Sequence, residues 1–169
     1  MSDQQRTILV IGVGSIGERH VRCFQATGRA RLAICEVNAD LRQRVARQYG
    51  VDKTYATLDQ AADDRYDAAV IATPAPLHIS MATRLVQAGM HLLIEKPLST
   101  SLAGVAELQA AVLEKHRVAA VAYVLRAHPS LQAMRAAIQS GRFGRPVQVL
   151  SHCGQHFPTY RPAYREIYY

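Results

Sequence analysis

The 169-residue sequence contains no tryptophan and only three cysteines, Cys23, Cys35 and Cys153. Three scattered thiols with no CxxC pair exclude a disulfide framework and a cysteine-based zinc site. No apolar run approaches the roughly 18 residues needed to span a bilayer. The opening Met1-Ser2-Asp3-Gln4-Gln5-Arg6 lacks the basic-then-apolar shape of a secretory signal. These absences predict a soluble, reduced, cytoplasmic protein with no membrane partner. Lysine is scarce as well, with 3 lysines against 17 arginines. The formal charge of +7 would suit an anionic partner. The arginines, however, are spread from Arg6 to Arg165, and the densest group is only Arg42, Arg44 and Arg47. That distribution reads as a solvated basic surface, and no nucleic-acid partner is expected.

Apolar residues make up 49% of the chain and charged residues 20%, which supports a sizeable core and argues against disorder. The apolar residues fall in short, nearly continuous runs: Ile8–Val13, Leu32–Val37, Ala68–Ala72, His91–Ile94, Val118–Val124 and Val147–Leu150, with a weaker one at Lys53–Ala56. Continuous rather than alternating runs suit strands buried on both faces. Between them lie helix-forming stretches at Ser15–Thr27, Ala39–Tyr49, Leu77–Ala88, Ser101–His116 and Pro129–Ser140. Four of these end at Gly28, Gly50, Gly89 and Gly141, and Ser99, Thr100 and Ser101 offer N-caps for one. Strand followed by helix, repeated, predicts an α/β protein with a doubly wound parallel sheet.

That unit is expected over residues 1–125. Residues 126–169 read as a connecting helix and the first strand of a second, truncated α+β domain. The strand is placed at Val147–Cys153, after the turn-rich Gly141-Arg-Phe-Gly-Arg-Pro146. A lone strand needs partners, and its open edge invites a second copy, so a homo-oligomer through this strand is expected.

The strongest motif is Gly12-Val13-Gly14-Ser15-Ile16-Gly17, directly after the first buried run and at the start of a helix. Gly12 permits the tight turn, Gly14 lets the backbone approach a pyrophosphate, and Gly17 lets helix and strand pack closely. The N–H groups of the helix start, at Ser15 and Ile16, face the phosphate with the positive end of the helix dipole. A tight turn without a ligand, or a methyltransferase turn, shares these glycines. Glu36 ends the second strand, 19 residues after Gly17. A carboxylate there accepts hydrogen bonds from the adenosine ribose and repels a 2′-phosphate, which favours NAD over NADP. Arg42 nearby leaves NADP possible, and a plain surface acid is the alternative for Glu36.

Two proline motifs follow later strands. Thr73-Pro74-Ala-Pro-Leu-His78 comes after the fourth strand, beyond the carboxyl edge where ligands bind in open α/β sheets. His78 either sits near the cofactor or caps its helix. Glu95-Lys96-Pro97 comes after the fifth strand. Lys96 beside a nicotinamide can hold a substrate hydroxyl or share in proton transfer, and it is the candidate catalytic residue. A Lys–Pro bond can also be cis. Glu95 can pair with Lys96, bind a ribose, or be solvated. Tyr123 and His128, after the sixth strand, are weaker candidates for a substrate pocket. His152-Cys153-Gly-Gln-His156 holds three metal-ligand types, but His152 and Cys153 would face opposite sides of a strand, so no metal is expected.

Taken together, these motifs resemble the glucose–fructose oxidoreductase, inositol dehydrogenase and rhizopine-catabolism family. The matching pieces are Gly12–Gly17, Glu36, Ala72-Thr-Pro74…His78, Glu95-Lys-Pro97 and Gly141–Pro146, and the resemblance covers essentially the whole chain. It implies an NAD(P)-binding Rossmann domain followed by a sheet domain that binds a sugar or polyol and builds the oligomer. It also implies hydride transfer at a hydroxyl-bearing carbon, with Lys96 in contact with cofactor and substrate. The family's later Gly-Gly segment, with an aspartate and then a proton-transferring histidine, has no counterpart here. No aspartate follows Asp67 and no two glycines are adjacent. The expectation is therefore the cofactor half of a sugar or cyclitol dehydrogenase, incomplete as a catalyst. A non-catalytic dinucleotide-sensing module is the alternative.

Overall fold

The structure, a computed structural model, describes residues 5–62, 64–152 and 154. The chain divides into two compact units, residues 1–124 and 125–169.

In the first unit six strands form one sheet: β1 (Arg6–Ile11), β2 (Ala30–Cys35), β3 (Lys53–Tyr55), β4 (Ala68–Ile71), β5 (His91–Ile94) and β6 (Ala119–Val121). Their order is β3-β2-β1-β4-β5-β6 and every pairing is parallel. The winding reverses between β1 and β4, where Ile11 lies in register with both Cys35 and Ile71. A doubly wound sheet of this order is a Rossmann fold, as the alternation of runs predicts.

Residues along β1 alternate between two cores. Ile8 and Val10 join Val21 of helix α1 (Ser15–Ala26) and Val45 of α2 (Ala39–Tyr49) on one face. Leu9 and Ile11 join Leu85 of α4 (His78–Gln87) and Leu108 of α5 (Val105–Glu114) on the other. Each buried aliphatic side chain contributes roughly 1.5–3 kcal/mol, so a strand buried on both faces is worth more per residue than one facing water. A short helix α3 (Leu58–Ala62), which the sequence pattern does not indicate, follows β3.

Local signals set the helix ends. Asn38 Oδ1 accepts from Leu41 N–H at 3.0 Å to start α2, and Gly50 ends it with φ 60°. The expected N-cap of α5 is corrected. Ser99 and Ser101 accept short-range bonds from the N–H groups of Ser101 and Ala103 instead, which makes the approach a turn. The N-cap lies three residues later, at Gly104, with φ 77°.

The second unit contains α6 (Pro129–Gln139), which begins with proline at its first turn, as expected. Leu131, Met134 and Ile138 recur along this helix and are all partly exposed. The expected strand from Val147 is also corrected. Residues 147–152 take no strand conformation, and Val147, Val149 and Leu150 are exposed. A β-ladder needs a neighbouring strand, and none pairs with this segment among the described residues. Cys153, at the end of that expected strand, and His156 lie outside the described residues.

Candidate cofactor site

The glycine turn sits at the carboxyl edge of β1, beside the winding reversal. Gly12 has φ +78°, and a Cβ there would stand 2.8 Å from the Ala72 carbonyl oxygen. A Cβ on Gly17 would stand 1.8 Å from the Gly12 carbonyl oxygen. Gly14 differs, for a Cβ there would meet no protein atom within 4 Å. Two glycines are thus needed by the protein itself, while Gly14 and the exposed Ser15 border open space at the start of α1. Gly14 caps that helix without a side-chain bond, and the first N–H groups of a helix have no intrahelical partner. A phosphate fits there chemically.

Glu36 stands next to this turn. Its Oε2 accepts from Val13 N–H at 3.0 Å, and its Oε1 accepts from Asn38 N–H at 2.9 Å. Arg42 donates to the Glu36 backbone carbonyl from one turn into α2. The carboxylate is therefore fixed by two backbone donors before any ligand arrives. A cleft of about 320 Å³ opens between these groups, with Gly12, Gly14 and Glu36 on one side and Thr73, Pro74 and Met81 on the other. Cys35 lies in its floor, and burial pushes that thiol up to about 11, with the Glu36 charge adding to the effect. Such a thiol is inert at neutral pH.

His78 does not open into this cleft. Its ring is 1% exposed, with Nε2 2.8 Å from the Thr73 carbonyl oxygen and Nδ1 3.0 Å from the Pro97 carbonyl oxygen. Carbonyl oxygens only accept, so each contact uses a ring N–H, and the ring makes both bonds together only when it carries both protons. His78 thereby ties the Thr73–Pro74 loop to the Glu95–Pro97 loop.

The Lys96–Pro97 bond is cis, and the Lys96 side chain is exposed. The Lys96 N–H donates to Glu95 Oε2 at 3.2 Å, while Glu95 Oε1 lies 2.8 Å from Nε2 of His20. His20 is a residue that sequence reasoning misses. Its one local signal is its place on α1, three residues after Gly17, and its partner lies 75 residues away. Tyr123 is exposed two residues beyond β6. His128 belongs to the second unit, where it precedes α6 and makes no capping bond with its side chain. Among the described residues no group of three or more His, Cys, Asp or Glu side chains is placed to hold a metal ion.

Sheet order, glycine turn and strand-end acid define a dinucleotide-binding Rossmann domain. The model of the oxidoreductase family with an NAD-binding Rossmann fold matches residues 6–123, and the chain belongs to that family. It is 32% identical over 149 residues to inositol 2-dehydrogenase 1 of Saccharopolyspora erythraea, covering 85% of this chain and 44% of that protein. It is also 32% identical over 137 residues to UDP-N-acetylglucosamine 3-dehydrogenase of Acidithiobacillus ferrooxidans, covering 81% and 42%. Among solved structures, WlbA dehydrogenase of Bordetella pertussis in complex with NADH and UDP-GlcNAcA superposes with a TM-score of 0.78 at 30% identity, covering 86% and 42%. The chain thus spans less than half the length of these relatives. No helix among the described residues is long and apolar enough to cross a membrane.

Proposed function

We propose that this chain is the cofactor-binding part of a cytoplasmic dehydrogenase that acts on a hydroxyl-bearing carbon of a cyclitol or sugar. The observation that carries the reading is the Glu36 carboxylate, fastened by Val13 N–H and Asn38 N–H at the mouth of the cleft that Gly12 and Gly14 also line. In this reading the start of α1, from Gly14 through Ser15 and Ile16, holds the pyrophosphate. Glu36 accepts from the adenosine ribose and disfavours a 2′-phosphate, so NAD is preferred over NADP. Thr73 and Pro74 wall the far side of the cleft. When bound, the nicotinamide supplies the hydride acceptor or donor.

Lys96 orients the substrate hydroxyl. Its ammonium donates a hydrogen bond to the hydroxyl oxygen and stabilises the negative charge that develops there as the O–H proton passes to a water molecule. Tyr123, exposed just beyond β6, contributes to the rim of the substrate pocket. The exposed Val147–Leu150 segment supports self-association, because exposed apolar residues of this kind are covered in an assembly.

The test is a calorimetric titration of the chain with NADH and separately with NADPH, repeated on Glu36→Ala. Binding of NADH at least tenfold tighter than NADPH, with that preference lost in the variant, supports the reading. A folded chain that binds neither cofactor defeats it.

A further inference from the structure

Glu95 immediately precedes Lys96, and an acid next to an exposed ammonium is free to fold over and pair with it. Here both carboxylate oxygens are engaged elsewhere. Oε1 takes a hydrogen bond from His20 Nε2 at 2.8 Å, and Oε2 takes one from the Lys96 backbone N–H at 3.2 Å. The carboxylate only accepts, so the proton of the first bond sits on the imidazole Nε2. The two side chains are 16% and 13% exposed. A hydrogen bond to a charged group sheltered from water is stronger than an exposed ion pair, which solvent and salt screen. The buried contact wins, and among the described residues no ion pair includes Lys96.

We propose that His20 is a positioning residue for Lys96: its imidazole draws the Glu95 carboxylate back to α1 and leaves the Lys96 ammonium free for a substrate hydroxyl. This rests on the role given to Lys96 above. His78 meets the other side of the same loop at the Pro97 carbonyl, so Lys96 stands between two residues, Glu95 and Pro97, each contacted by an imidazole from a different helix.

The small number of lysines makes the test direct. Lys53, Lys96 and Lys115 are the only three in the sequence, so the full chain labelled with ¹³C-lysine gives three ε-methylene signals, and Lys96→Arg identifies one. His20→Leu removes the donor, and His20→Gln supplies another. The expected result is a shift of the Lys96 signal in His20→Leu as Glu95 turns onto the ammonium. The Lys53 and Lys115 signals stay in place, and His20→Gln returns the Lys96 signal toward its original position. A folded His20→Leu chain with an unmoved Lys96 signal overturns the assignment.

If His20→Leu does not fold, the unaltered chain decides through a long-range ¹H–¹⁵N imidazole spectrum. Protonated Nε2 on His20 supports the proposal, and a ring protonated at Nδ1 alone overturns it. Titrating the same samples with NADH keeps the two readings apart. A chain that shows the lysine shift but binds no NADH defeats the cofactor reading and leaves His20 in its place. A chain that binds NADH with an unmoved lysine signal does the reverse.

Discussion

A methyl group placed on Gly17 would stand 1.8 Å from the carbonyl oxygen of Gly12. The atom it would strike is backbone, at a turn whose own residue is held at φ +78°. Overpacking in a tight interior costs typically about 1–3 kcal/mol and more where nothing yields, out of a total stability of roughly 5–15 kcal/mol. Gly17→Ala is therefore expected to lower the melting temperature sharply or to prevent folding, as read by circular dichroism.

Gly14→Ala should behave in the opposite way. Its methyl group would meet open space, so the chain should melt close to its unaltered temperature. The loss should appear in NADH affinity, as a weakening of at least tenfold by calorimetry, because the methyl would occupy the ground assigned to the pyrophosphate. Equal affinity for both chains would remove Gly14 from the phosphate site.

His78→Leu removes the buried imidazole that stands between the Thr73 and Pro97 carbonyls, 2.8 Å from one and 3.0 Å from the other. An unsatisfied buried polar group costs about 1–3 kcal/mol. Urea unfolding should show a loss of that size or larger. Amide exchange should quicken in the loops after β4 and β5 together. Quickening in one loop alone would contradict the tie described above.

Acid should destabilise the first unit through Asp67. Its Oδ2 accepts from Thr7 N–H at 2.7 Å and from Thr7 Oγ1 at 2.9 Å, and Oδ1 takes Arg6 Nη1 at 3.3 Å. The Thr7 backbone bond leads in holding this carboxyl below its ordinary value. A depressed carboxyl adds stability that is fully present above the unfolded value, about 3.9, and is lost as pH falls below it. Unfolding free energies of the parent chain and Asp67→Asn, measured from pH 6 to pH 2, should therefore converge as the pH falls. Parallel curves would show that Asp67 carries none of the acid sensitivity.

Leu9 tests the two-sided burial of β1. It is fully buried in the core shared with α4 and α5, so Leu9→Ala should cost about 2–5 kcal/mol in urea unfolding.

The sheet was readable because burial on both faces writes itself into the sequence as unbroken apolar runs, and Ile8–Ile11 is the clearest case. Gly50 likewise announces the end of α2, since its left-handed conformation suits the one residue without a side chain. Glu36 and the glycine turn were legible because phosphate and ribose recognition depend on short, local spacing. His20 was not, because its meaning lies in a contact with a residue 75 positions away. Its own neighbours carry no sign of it. The sequence leaves the role of His78 open for a similar reason: a helix-start histidine gives no hint that both nitrogens meet carbonyls from two different loops. The expected N-caps of α5 failed because Ser99 and Ser101 satisfy nearby N–H groups in a turn, which left Gly104 to begin the helix. Residues 147–152 take no strand conformation because apolar residues define a strand only where another strand lies beside them, and none does among the described residues.

The imidazole of His78 gives the two loops after β4 and β5 a common mechanical fate. Their strands are already hydrogen-bonded neighbours, with Ile71 in register with Ile94, and the ring adds a rung beyond the last rung of the sheet. A push on Thr73 is passed through the ring to Pro97, the residue beside Lys96. Thermal jitter that would blur either loop alone is shared between both, and a ligand that settles against one of them stiffens the pair.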